Sequence, residues 1–87
     1  MEKTLTIQNK AGLHARPASV FVQTAAKFNS TVSLSKDGRK VNAKSILSVM
    51  SLGVAMGDKV VLEAEGPDAA EAIKALAKMV EEKFGEE

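Results

Sequence analysis

The stretch Thr31-Val32-Ser33-Leu34-Ser35-Lys36-Asp37-Gly38-Arg39-Lys40-Val41-Asn42-Ala43 decides the fold. Asp-Gly between two alternating segments signals a two-residue hairpin, because a type I′ turn needs positive φ at both central positions. The turn also sets a register. Pairing Lys36 with Arg39 puts Leu34 opposite Val41 and Val32 opposite Ala43, so all four apolar side chains share one face. The stretch therefore predicts an antiparallel ribbon with one dry side and one wet side.

Two further segments carry the same period. From Lys3 to Gln8, Leu5 and Ile7 alternate with Thr4, Thr6 and Gln8, and Asn9-Lys10-Ala11-Gly12 then breaks the pattern. From Lys59 to Glu65, Val60, Leu62 and Ala64 alternate with Val61, Glu63 and Glu65. Helical spacing fills the gaps. Between about Arg16 and Phe28, Val20, Phe21, Ala25 and Phe28 recur on one side, with Pro17 in a first turn that tolerates it. Ser45 is a candidate N-cap for a short helix closed by Gly53. Asp68 and Glu71 are spaced as a capping box for a last helix, whose stripe Ala69, Ile73, Leu76, Val80 and Phe84 runs to Gly85. The order is β-α-β-β-α-β-α. It predicts a single α+β domain over residues 1–87, an open-faced sandwich whose four-stranded, mostly antiparallel sheet is covered on one face by three helices.

Composition narrows the chemistry. With 45% apolar and 26% charged residues in 87, the chain reads as a soluble globular domain with one small core. It has no cysteine, which excludes disulfides and thiolate metal sites and leans towards the cytoplasm. No signal-peptide pattern and no apolar run of membrane-spanning length is visible. The net charge of +1 conceals an asymmetry: residues 1–56 hold eight Lys/Arg against Glu2 and Asp37, and residues 57–87 hold four Lys against nine acids. No acid lies between Lys3 and Lys36, and the only histidine, His14, falls inside that tract. Its end of the molecule is expected to meet anions.

His14 is short of partners for most histidine chemistry. A metal site needs about three or four protein ligands, and one histidine without cysteine leaves only carboxylates that cluster elsewhere in the sequence. A nucleophile–His–acid triad needs an orienting acid, and none lies nearby in the chain. An ordinary surface histidine remains the alternative that residue type alone favours. Against it stand the flanking residues Gly12-Leu13-His14-Ala15-Arg16-Pro17-Ala18. They place the imidazole at a helix start, where free N–H groups and the dipole favour an anion. Ala15 keeps that end open, and Arg16 offers a fork for phosphate. Phosphoryl transfer asks mainly for positioning and electrostatic stabilisation, and these residues meet both needs.

This segment resembles the active-site motif of the HPr family, the histidine-containing phosphocarriers of the bacterial sugar phosphotransferase system. Lys44-Ser45-Ile46-Leu47-Ser48-Val49-Met50-Ser51-Leu52-Gly53 is similar to that family's regulatory segment, in its Gram-positive branch. Ser48 stands where enteric versions typically carry lysine, and Leu47 stands where that branch commonly has methionine. The resemblance covers essentially the whole chain. It implies that enzyme I, charged by phosphoenolpyruvate, phosphorylates His14 at Nδ1, and that His14 passes the group to permease A domains. Arg16 and the backbone N–H groups of Ala15 and Arg16 would hold the phosphate.

The resemblance also implies that an ATP-dependent HPr serine kinase/phosphorylase modifies Ser45, and that the product contacts a catabolite-control transcription regulator. Val20, Gln23, Ile46, Leu47 and Met50 would form the partner surface. Leu47 and Met50 are expected to stay exposed, because one short helix cannot bury all of Ile46, Leu47, Val49, Met50 and Leu52. No cofactor, metal, direct nucleic-acid contact or membrane insertion is implied, and a monomer is the default.

Two other readings are weaker. A small nucleic-acid-binding module would use the basic N-terminal half, but the three aromatics, Phe21, Phe28 and Phe84, fall on helical stripes instead of a sheet surface. A purely regulatory paralogue would keep the serine site, but such relatives lack the active-site histidine.

Overall fold

The computed structural model describes residues 1–85. Strand β1 (Glu2–Thr6) leads to helix α1 (Ala15–Ala25), then to the ribbon β2 (Thr31–Lys36) and β3 (Arg39–Asn42). Helix α2 (Ile46–Ser51), strand β4 (Lys59–Glu65) and helix α3 (Ala69–Glu81) follow, with a short 3-10 turn at Lys83–Gly85. The sheet runs β1-β4-β2-β3 and every pairing is antiparallel. The order of elements and the open-faced sandwich agree with expectation.

The hairpin keeps the register its sequence imposes. Lys36 pairs with Arg39 and Leu34 with Val41, while Asp37 and Gly38 take φ of 52° and 82°, as a type I′ turn requires. β3 ends at Asn42, and the Ala43 N–H still donates to the Val32 carbonyl at 2.9 Å. Val32, Leu34 and Ala43 are buried; Val41 is half-buried because β3 forms the sheet's edge.

Leu5, Val32, Leu34, Val60, Leu62 and Ala64 form the dry face of the sheet, against Phe21 of α1, Val49 of α2 and Leu76 and Val80 of α3. Burying a leucine or phenylalanine in this way stabilises the fold by roughly 1.5–3 kcal/mol each. On the wet face Lys40 reaches across the small Ser33 and Ser35 of β2 to Glu63 of β4, at 3.1 Å. No helix among the described residues is long and apolar enough to cross a membrane.

The last helix departs from expectation at both ends. Asp68 stands at its N-cap position but makes no capping bond. Its carboxylate instead accepts the Asn29 and Ser30 N–H groups, each at 2.9 Å, and the Ser30 hydroxyl. Two N–H donors and a hydroxyl from the end of the α1–β2 loop outcompete one local cap, so the carboxylate staples that loop to the start of α3. At the other end α3 stops at Glu81, and Lys83 and Phe84 turn into the left-handed region, with φ of 57° and 56°. That turn brings the Phe84 ring edge-on to Phe21, with centroids 6.4 Å apart. The buried stripe is accordingly Ala72, Leu76, Ala77 and Val80, with Ala69, Ile73 and Phe84 half-buried at its margins.

The staple has a pH signature. The Ser30 hydroxyl, then the Asn29 N–H, hold the Asp68 carboxyl below the usual carboxylate range. A group depressed in the folded state adds stability above its unfolded pKa, and that stability disappears as pH falls through the folded value. Urea unfolding from pH 6 down to pH 2 is therefore expected to show an acid-side loss that is smaller in Asp68→Asn. Parallel acid profiles for the two proteins would contradict the staple.

Candidate functional site

The β1–α1 connection is held on both sides. Gly12 N–H donates to the Asn9 carbonyl at 3.1 Å, and the buried Asn9 amide donates back to the Gly12 carbonyl at 3.0 Å. Leu13 is buried, and its N–H reaches the Val54 carbonyl at 3.1 Å. Ile7 and the 57–58 backbone exchange two further bonds, at 2.7 and 2.9 Å. Gly12 lies so close to Val54 that a Cβ would stand 2.3 Å from its carbonyl oxygen. The loop that delivers His14 is thus pinned against the turn that follows α2.

His14 emerges from this support into solvent. It occupies the N-cap position of α1 with extended backbone angles, and its side chain makes no capping bond. The imidazole is therefore not committed to holding the helix. Ala15 and Arg16 are exposed as well, while Pro17 and Ala18 are buried and anchor the first turn. That turn contains no acid to neutralise its positive end. Ala15 has a φ of 43°, an uncommon conformation for a residue with a Cβ, which costs on the order of 1–3 kcal/mol. Exposed imidazole, open helix end and guanidinium together suit an incoming anion.

Ser45 caps α2 as its sequence predicts. The hydroxyl accepts the Ser48 N–H at 3.3 Å, and the Ser45 carbonyl takes the Val49 N–H at 3.0 Å. Lys44 beside it is tied to the Phe28 carbonyl at 2.7 Å. Helices α1 and α2 pack together, with the Lys44 end of α2 tied to Phe28 beyond the end of α1 and Val54, beyond the other end of α2, bonded to the His14 loop.

The apolar residues of α2 divide between core and surface. Val49 and Leu52 are buried, Leu47 is 79% exposed and Ile46 is 38% exposed. Met50 corrects the expectation: it is half-buried and packs against the core, because it lies on the side of the helix that turns inwards with Val49. On α1, Val20 is half-buried, and Gln23 is exposed with its amide on the Ser19 hydroxyl at 3.1 Å.

Sequence reasoning missed the 54–58 turn. It carries Met56, 57% exposed, next to the His14 loop. It also carries Asp58, whose carboxyl is held below the usual range by the Lys36 ammonium and then by the Ala55 N–H. An isolated methionine between Ala55 and Gly57, outside any periodic element, was the one signal for the first. The Lys36–Asp58 pair had none.

Comparison with known proteins agrees with this arrangement. Residues 1–82 match the family model described as the PTS HPr component phosphorylation site. The chain is 50% identical over 82 residues to the HPr-like protein Crh of Bacillus subtilis, which covers 94% of this chain and 96% of that protein. It is 44% identical over 85 residues to the phosphocarrier protein HPr of Treponema pallidum, covering 98% and 97%. A crystal structure of HPr-C-His from Thermoanaerobacter tengcongensis superposes with a TM-score of 0.98 at 61% identity, covering 100% of this chain and 98% of the other. The family model spans nearly the whole chain and the fold is shared with solved HPr structures, so the chain belongs to the HPr family of phosphotransferase-system components.

Proposed function

We propose that this chain is a cytoplasmic, single-domain phosphocarrier, not an enzyme in its own right, that takes a phosphoryl group on His14 from phosphorylated enzyme I and gives it to permease A domains during sugar uptake. The observation that carries the reading is the uncommitted, exposed imidazole at an acid-free helix start, followed by Arg16. The Nδ1 lone pair attacks phosphorus while the bond to the donor breaks, its electron pair staying with the donor. Arg16 and the N–H groups of Ala15 and Arg16 then hold the new anion. A P–N bond keeps a high transfer potential, which suits a group that must leave again. Leu47, Ile46, Val20, Gln23 and the partly exposed Met50 supply the docking contacts, with no metal or cofactor required.

The presence of His14 favours the carrier over a purely regulatory paralogue. The nucleic-acid alternative finds no support in the aromatics: Phe21 is buried, and Phe28 and Phe84 are half-buried against the core. Crh of Bacillus subtilis is described as a swapped dimer and a Thermoanaerobacter tengcongensis HPr as a dimer; for this chain we propose a monomer.

Ser45 is the proposed regulatory position, phosphorylated by the serine kinase/phosphorylase and then read by the catabolite-control regulator. A phosphate there adds about −1.5 to −2 charge at the start of α2, which the helix end tolerates, beside the apolar contacts that enzyme I must meet. The relay itself is tested by charging the chain with labelled phosphoenolpyruvate and enzyme I, removing the donor, and adding a permease A domain. Label should pass on to that domain, and Ser45→Asp should accept it from enzyme I about tenfold more slowly. Label that stays on the chain would refute the carrier role. A wild-type rate in Ser45→Asp would refute the electrostatic account of regulation.

A further inference from the structure

The turn that supports His14 is itself held from behind. Asp58 Oδ2 accepts the Ala55 N–H at 2.8 Å, and the Asp58 N–H donates to the Ala55 carbonyl at 3.0 Å, so this side chain closes the 55–58 turn. Lys36, at the end of β2, places its ammonium 2.9 Å from the same carboxylate oxygen and 3.0 Å from the Gly53 carbonyl. One ammonium thus bridges the residue before Val54 and the residue that ends the turn. On its other side the turn takes the Leu13 N–H through Val54 and the Ile7 N–H through Asp58. Leu13 immediately precedes His14.

We infer that Lys36 and Asp58 form a positioning pair for His14, fixing the 54–58 turn and, through the Val54–Leu13 bond, the site from which the imidazole projects. The inference rests on the proposed role of His14 as phosphoryl acceptor. Two features make the pair more than a surface contact. Its side chains are only 20% and 33% exposed, so screening by solvent is reduced. It also stands behind a backbone that is strained at Ala15, and such strain persists only where the surroundings over-determine it. With the turn released, the loop relaxes and the imidazole leaves the line of attack. Misplacement of a reacting group by about 1 Å costs up to about a hundredfold in rate.

The Lys40–Glu63 pair supplies the control. It has a similar length, 3.1 Å, and lies on the wet face of the sheet, with no bond to the His14 loop. Enzyme I-dependent phosphorylation of the full chain is measured for wild type, Asp58→Ala, Asp58→Asn and Lys40→Met, with kcat and KM resolved separately for the chain as substrate. Asp58→Ala should lower kcat about tenfold with KM within about twofold, since the docking residues are untouched. Asp58→Asn, which keeps an acceptor for the Ala55 N–H but loses the charge, should recover part of that loss. Lys40→Met should match wild type.

Folded state is checked by the amide spectrum of each variant; if Asp58→Ala is unfolded, the milder Asp58→Asn decides, with an expected two- to threefold loss in kcat. An unchanged kcat in a folded Asp58→Ala, or an equal loss in Lys40→Met, overturns the positioning role while leaving the carrier reading intact. Failure of wild-type chain to be labelled at His14 overturns both.

Discussion

Gly12→Ala is expected to lower the melting temperature by about 12–24 °C and to slow phosphoryl acceptance with it. Two costs add. Gly12 has a φ of 64°, where a residue with a Cβ loses roughly 1–2 kcal/mol. The new methyl would also stand 2.3 Å from the Val54 carbonyl oxygen and 2.8 Å from the Ala55 Cα, both backbone atoms that cannot rotate away. Moving the backbone to make room costs about 1–3 kcal/mol more. A total near 3 kcal/mol is a large fraction of the roughly 5–10 kcal/mol that hold a domain of this size. The displacement falls on the bond between Leu13 and Val54, so the loss of stability and the loss of acceptance share one origin. Gly38→Ala separates the two costs. Gly38 has a φ of 82°, but a methyl added there would meet nothing within 4 Å, so only the conformational part remains. Equal melting temperatures for the two variants would show that the close approach to Val54 contributes nothing.

What the sequence made legible was local chemistry. The hairpin could be read because Asp37-Gly38 sets turn type and register within a few residues. Ser45 could be read as a cap because its donor, the Ser48 N–H, lies three residues away. His14 stood out because the residues that qualify it, Gly12 to Ala18, are contiguous. The illegible features depend on partners far along the chain. Asp68 has capping-box spacing, yet its carboxylate answers N–H donors 38 and 39 residues distant. Phe84 fits the helical period, but it lies in a left-handed turn that sets its ring against the distant Phe21. Met50 looked as exposed as Leu47 until the packing of α2 chose which side faces the core. The Lys36–Asp58 pair joins residues 22 apart that mark no pattern of their own. Its effect on the loop arises only after the sheet has formed.

With His14 as the proposed acceptor, His14→Ala is expected to have the largest functional effect, complete loss of phosphoryl acceptance with little change in fold. The imidazole is exposed and makes no cap bond, so its removal leaves the core, the Leu13–Val54 bond and the first turn of α1 in place. No similar side chain can substitute: the chain has no second histidine and no cysteine, and the Ser45 hydroxyl is engaged in capping α2. Phosphate on nitrogen is released by mild acid, whereas a serine ester survives it, so the chemistry of the product identifies the acceptor. The decisive measurement is incubation of wild type and His14→Ala with labelled phosphoenolpyruvate and enzyme I, followed by an acid-stability assay of the protein-bound phosphate. Acid-labile label on the wild type and none on a folded His14→Ala is the predicted result; label of wild-type amount on His14→Ala, or label that resists acid, would contradict it.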